Sequence, residues 1–177
     1  KKEFTETYVL NTDDNSPEIL GVLAANDSIY AITKKNLFVA NIKSNLINYQ
    51  NWTNLNIPDN NYDNVKIEFI DNVLYLLKSN KNLYKYENNT WKLYKSAINN
   101  ISYNDGYTFL VDSNNKLSTI KDNKTEFLSD NAVDGIFDKD ENKLWYIAKT
   151  TIYSKDLKNN GLNMFVPTDP RPNTSWR

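Results

Sequence analysis

The 177 residues carry 21 basic and 22 acidic side chains, for a formal net charge of −1, and include neither Cys nor His. A near-neutral chain offers no electrostatic footprint for nucleic acid or an anionic bilayer, and without thiol or imidazole it lacks the usual zinc and copper ligands and every Ser-His-Asp arrangement. No apolar run approaches the roughly 18 residues that span a bilayer, so no direct membrane span is expected, and the length suits one domain that buries a core without disulfides.

In chain order, the opening "KKEFTETYVL" alternates like a strand and is expected, over residues 1–16, to act as a tether and a ring-closing strand. Its basic-acidic start and polar continuation resemble bacterial lipoproteins just after their lipidated Cys. From there on the persistent signals are strand signals: runs of four to eight residues rich in Val, Ile, Tyr, Phe and Trp, bounded by Asn, Asp and Ser. No segment sustains a helical stripe, so the class is all-β. Asn is the commonest residue and Gly is scarce; Asn is read here as turn chemistry, filling left-handed positions elsewhere given to Gly.

The runs repeat. "DSIYAIT", "NVLYLLK", "GYTFLVD" and "NKLWYIA" align on Tyr30, Tyr75, Phe109 and Trp145. Eight residues before each stands an apolar residue in another run, Val22, Ile67, Ile101 and Phe137, and seven or eight after each comes Leu37, Leu83, Leu117 or Ile152. A fourth run closes every copy: "NWTNLNI", "TWKLYKS", "KTEFLSD" and "GLNMFVP". The copies lie 34 to 45 residues apart, the period of a four-stranded meander, and the first is lengthened by "KSNLINYQ" in a connection, where insertions cost little. One such sheet exposes an apolar face, and radial repetition buries it against its neighbours. The expected fold is a β-propeller built of four-stranded antiparallel blades, about four in this chain, at 17–57, 65–96, 98–130 and 132–166. The Pro-rich tail 167–177 reads as an extended arm.

"LYLLKSNKNLYKYENNTWKLY" resembles tectonin-like bacterial propeller repeats, and "DKDENKLWYIAKTTIYSKDLKNNG" is similar to a blade of the low-density-lipoprotein-receptor type. The resemblance implies architecture alone. The Trp-Asp signature of WD repeats, the double Gly of kelch repeats and the Ser-x-Asp-x-Gly-x-Thr-Trp box of sialidases are missing, so none of those activities carries over.

Chemistry would sit on loops. Their acids are Asp13 and Asp14, Asp59 and Asp63, and Asp138, Asp140 and Glu141. "DKDEN" has the oxygen ligands of a calcium site but not the Gly and distal Glu of an EF-hand loop, and reads as a solvated hairpin turn. Paired carboxylates suffice for glycoside hydrolysis, yet nothing in the spacing fixes two of them together. Trp52 and Trp91 fall at the same place in two copies and read as packing residues. Tyr49, Tyr62 and Tyr103, near strand ends, and Trp176 in the tail are the candidate interaction surface. The expectation is a non-enzymatic protein-binding or scaffolding propeller, an accessory subunit of a bacterial cell-envelope complex, extracytoplasmic and lipid-anchored, with no cofactor and no metal. The alternatives are a glycan-binding, lectin-like propeller and a phage or virion attachment component; the loops before the second strands, "AND", "FID", "YND" and "DEN", share no common set, which speaks against one sugar site per blade.

Overall fold

The computed structural model describes residues 18–122 and 124–165, and the chain forms two compact units that divide after Ile98. The ring-closing strand expected in residues 1–16, the tail with Trp176, and Asp13 and Asp14 lie outside the described residues. Four antiparallel sheets of four strands follow one another as meanders. The first holds β1 (Ile19–Ala25), β2 (Ser28–Thr33), β3 (Leu37–Asn41) and β4 (Thr53–Leu55); the second holds β5 (Asn64–Ile70), β6 (Val73–Lys78), β7 (Leu83–Glu87) and β8 (Thr90–Lys95). The third comprises β9 (Ile98–Asn104), β10 (Tyr107–Asp112), β11 (Leu117–Lys121) and β12 (Lys124–Ser129), and the fourth β13 (Ala132–Asp138), β14 (Lys143–Ala148), β15 (Thr151–Asp156) and β16 (Leu162–Phe165). A 3-10 turn, Tyr49–Asn51, sits in the long connection of the first sheet.

The turns explain the composition. Asn26-Asp27, Asp71-Asn72, Asn88-Asn89 and Asp105-Gly106 each place two successive residues at positive φ, between 46° and 84°. That is the backbone of a two-residue type I′ hairpin, whose twist matches its strands, and Asn and Asp tolerate it because their short side chains bond the local backbone. The fourth hairpin differs: Asp138 pairs with Lys143 across four loop residues, whereas Ala25 pairs with Ser28 and Ile70 with Val73 across two. An eight-residue count therefore lands two places along in the fourth copy. Gly135, not Phe137, occupies the register of Val22 and Ile67, and Phe137 stands where Phe69 does.

In the first unit, the face of the first sheet that carries Leu23, Tyr30, Ile32, Leu37 and Leu55 packs against Ile67, Phe69, Leu74, Leu76, Tyr86 and Trp91 of the second. In the second unit, Tyr107, Phe109, Val111 and Leu117 of the third sheet pack against Phe137, Leu144, Tyr146 and Ala148 of the fourth. Each fully buried apolar side chain contributes roughly 1.5–3 kcal/mol. The face bearing the central aromatic of the second strand is called leading, and the opposite face trailing. Both units then follow one rule: the leading face of one blade lies on the trailing face of the next.

Backbone hydrogen bonds fix that stacking. Asn64 donates its backbone N–H to Lys34 O at 2.7 Å, and Ala132 donates to Asn115 O at 2.9 Å, each joining the first strand of one blade to a turn of the blade before. The first strands carry a β-bulge at this point, between Asn64 and Lys66 and between Ala132 and Asp134. In the second blade the ladder pair here is Asn64 opposite Lys78, and in the fourth it is Ala132 opposite Ala148. Asn64 and Lys78 are both buried. Lys78 Nζ donates to Asn64 Oδ1 at 2.9 Å, while Asn64 Nδ2 donates to Thr33 O at 2.9 Å and Asn36 O at 3.3 Å. Burial, helped by the Lys35 charge, holds the Lys78 ammonium below the ordinary lysine range, against the opposing pull of Asp59 and Asp63.

Candidate functional site

The leading face of the fourth blade departs from its equivalents. At the fifth residue of the second strand, Ile32, Leu77 and Val111 are 1–2% exposed, whereas Ile147 is 45% exposed. At the first apolar residue of the third strand, Leu37, Leu83 and Leu117 are fully buried and Ile152 is 36% exposed. Register places the rest of the surface: Ile136 lies opposite Trp145, and Ile147 opposite Ile152, which pairs in turn with Phe165. Because residues two apart on a strand share a face, these five side chains form one apolar patch. Trp145 and Phe165 have ring centroids 5.3 Å apart. A shallow groove of about 300 Å3 runs between Gly135, Ile136, Trp145, Ile147 and Ile152. Ser154, opposite Trp145, is fully buried, and its hydroxyl has no hydrogen-bond partner among the described residues.

Gly135 keeps the two faces of β13 distinct. A Cβ there would lie 2.6 Å from Phe109 Cδ1, so the Phe109 ring of the preceding blade rests directly on the glycine backbone. The trailing face is thus locked, and the leading face is free of it. Burial raises the Tyr146 hydroxyl above the ordinary tyrosine range, with Tyr153 stacked beside it at 5.3 Å adding to the effect.

Four of the described loop acids, Asp59, Asp63, Asp138 and Glu141, are engaged in turns and pairs. Asp138 Oδ1 accepts from the backbone N–H groups of Asp140 and Glu141 at 3.0 and 3.1 Å, and Glu141 bonds Lys143. This Asx turn is the physical basis of the hairpin that "DKDEN" forms. Asp63 pairs with Lys35 at 2.8 Å, and that hydrogen bond holds its carboxyl below the usual range. Asp59 Oδ2 accepts from Asn80 Nδ2 at 2.8 Å and from Tyr84 OH at 3.1 Å.

Two of the sequence-derived aromatics lie in the first unit and one in the second. Tyr49 is exposed in the 3-10 turn and Tyr62 is exposed ahead of β5. Tyr103 is half-buried in β9 of the second unit. Trp52 and Trp91, equivalent in the repeat, behave differently: Trp52 Nε1 donates to Leu46 O at 2.9 Å, while the buried Nε1 of Trp91 has no partner among the described residues. The fourth-blade patch was missed because its residues match the covered ones of other blades in type.

No family model matches the chain, and no curated protein matches it. Solved structures do. PorZ, a bacterial surface component of the type-IX secretion system of Porphyromonas gingivalis, superposes with a TM-score of 0.67 at 15% identity over 94% of this chain and 22% of its own. The extracellular domain of the hybrid two-component system BT4673 from B. thetaiotaomicron gives 0.64 at 13% identity, over 93% and 23%. YCF48 from Cyanidioschyzon merolae gives 0.61 at 14% identity, over 92% and 59%. The chain thus spans under a quarter of the first two and about three-fifths of the third. These likenesses show the fold: four antiparallel blades of a β-propeller. Among the described residues, no helix is long and apolar enough to cross a membrane.

Proposed function

We propose that this chain is a non-catalytic, protein-binding propeller segment that serves as a scaffold or accessory subunit of a bacterial cell-envelope complex. One observation carries the reading: the leading face of the fourth blade exposes Ile136, Ile147, Ile152 and Phe165, whereas the equivalent faces of the first and third blades are covered. Each of these two covered leading faces lies on a trailing face of aliphatic and aromatic side chains. The chemistry proposed for what covers it is therefore an apolar β-sheet face joined by the same stacking, and the proposal assigns that face to another protein. An apolar patch of this kind marks an interaction surface more often than a solvated one.

The description of PorZ as a bacterial surface component and of the BT4673 domain as extracellular supports an extracytoplasmic place. The lipid anchor belongs to the same proposal and rests on the opening sequence alone. The engagement of loop carboxylates in turns and ion pairs, in a chain without His or Cys, supports a non-catalytic role. Tyr49, Tyr62, Tyr103 and Trp176 enter as candidate secondary contacts.

The test is a paired capture from a native bacterial envelope extract, using wild type and the Ile136→Asp/Ile147→Lys variant as bait. Losing central apolar contacts of this kind costs ~2 kcal/mol or more, roughly thirtyfold in affinity. The expected result is a stoichiometric partner held by wild type at moderate salt and lost from the variant. Equal retention by both baits contradicts the proposal. So does light scattering that finds a wild-type dimer and a monomeric variant, since the patch would then serve a second copy.

A further inference from the structure

A second concavity lies in the first unit, where the end of the first blade's outer strand meets the outer hairpin of the second blade. It measures about 450 Å3, within the ~300–1,000 Å3 typical of small-ligand sites, and Asn54, Asn56 and Pro58 face Tyr86, Asn89 and Trp91 across it. No charged side chain lines it. Among the described residues, the side-chain amides of Asn56 and Asn89 have no hydrogen-bond partner, and Asn54 bonds only Asn36, at 3.1 Å. Asn89 is held at φ 58° by the β7–β8 hairpin, so its place on the rim is fixed by the turn.

Trp91 differs from its repeat counterpart. The Trp52 indole N–H donates to Leu46 O, whereas the buried Trp91 Nε1–H has no partner among the described residues. That N–H is shielded from solvent, so what Trp91 contributes to the cleft lining is its ring rather than its donor. The Trp91 ring also packs against Tyr86, with centroids 5.0 Å apart, which makes an aromatic wall. Flat apolar surface beside neutral groups that both donate and accept is the chemistry that recognises a polyhydroxylated, uncharged ring; an anionic or cationic ligand would find no counter-charge.

We propose that this cleft binds a neutral saccharide, with Trp91 and Tyr86 against a sugar face and Asn54, Asn56 and Asn89 bonding its hydroxyls. It is a single site, formed because the first and second blades meet here with this particular set of side chains. It is also separate from the fourth-blade patch, so the two readings stand or fall independently.

The test is a titration of the full chain with galactose, N-acetylglucosamine and cellobiose, followed by NMR of the indole N–H signals. The chain has four Trp, and the Trp91→Phe variant, which keeps an aromatic ring, assigns the signal in question. The expected result is a saturable shift of the Trp91 signal with at least one sugar in the millimolar range, about −4 kcal/mol. That shift should weaken about tenfold in the exposed-site variant Asn56→Ala and persist in Ile136→Asp/Ile147→Lys. No shift with any of the three at about ten times that concentration overturns the proposal, and so does a shift that Asn56→Ala leaves unchanged.

Discussion

Replacing Asn64 with alanine is expected to lower stability by about 2–3 kcal/mol, the largest single effect in the first unit. The variant removes the acceptor of the buried Lys78 ammonium and two bonds to the preceding blade at once. Hydrogen bonds to a charged group are worth roughly 1.5–3 kcal/mol, and a stranded charge adds its own desolvation penalty. The fourth blade shows the remedy, since Ala132 and Ala148 fill the same ladder position. Adding Lys78→Met to Asn64→Ala should therefore bring the urea midpoint back most of the way, a non-additivity that a double-mutant cycle measures directly. Additive losses in that cycle would mean the two side chains act separately.

The same lysine gives a pH dependence of defined sign. Burial holds Lys78 below its ordinary value in the folded chain. Between the folded and unfolded values the unfolded chain binds the proton and the native chain does not, so stability rises with pH in that alkaline window. Below the window both states hold the proton, and the cost of the buried charge is present in full. Wild type should therefore gain on Lys78→Met as pH climbs from neutral toward the ordinary lysine value. A difference that stays flat across that range would show the ammonium to be better solvated than its burial implies.

Gly135→Ala is the second large effect, a loss of about 1–3 kcal/mol from overpacking. The added Cβ would stand 2.6 and 2.9 Å from Phe109 Cδ1 and Cε1, and that ring is 1% exposed with little room to retreat. The clash identifies its own suppressor. Phe109→Leu alone should cost about 1 kcal/mol, yet in the Gly135→Ala background it should restore stability. If the double variant is less stable than either single one, the close approach of β13 to Phe109 is not what requires the glycine.

The blades were legible in the sequence because two local signals agree. Period-two runs set the strands, and Asn or Asp pairs mark turns that need positive φ; "AND", "FID" and "YND" each contain a residue with that backbone. The fourth hairpin broke the pattern since "DKDEN" closes through an Asx turn with two more residues, and a fixed count then mistook Phe137 for Gly135. The candidate site was less legible, for a physical reason. Ile147 and Ile32 are the same residue type at the same register, and what distinguishes them is whether another sheet lies above, which composition does not encode. Lys78 was hidden in a similar way: it closes the run "NVLYLLK", whose pattern gives no sign of burial at its end, and its burial follows from a β-bulge and a neighbouring blade. Trp52 and Trp91 occupy equivalent places, but the inserted connection around the 3-10 turn gives only Trp52 a carbonyl to bond.

The most direct test of the central claim is site-specific photo-crosslinking from residue 147 on the fourth-blade patch, with residue 42 in an exposed turn of the first unit as control. The probe replaces Ile147 or Ile42, both of them exposed, and is activated in intact bacterial envelopes that carry the full chain. The account predicts one discrete adduct with another protein from position 147, none from position 42, and loss of the adduct when Ile136→Asp is added. Adducts of equal yield from both positions, or an adduct from position 147 only with a second copy of the chain, would contradict it.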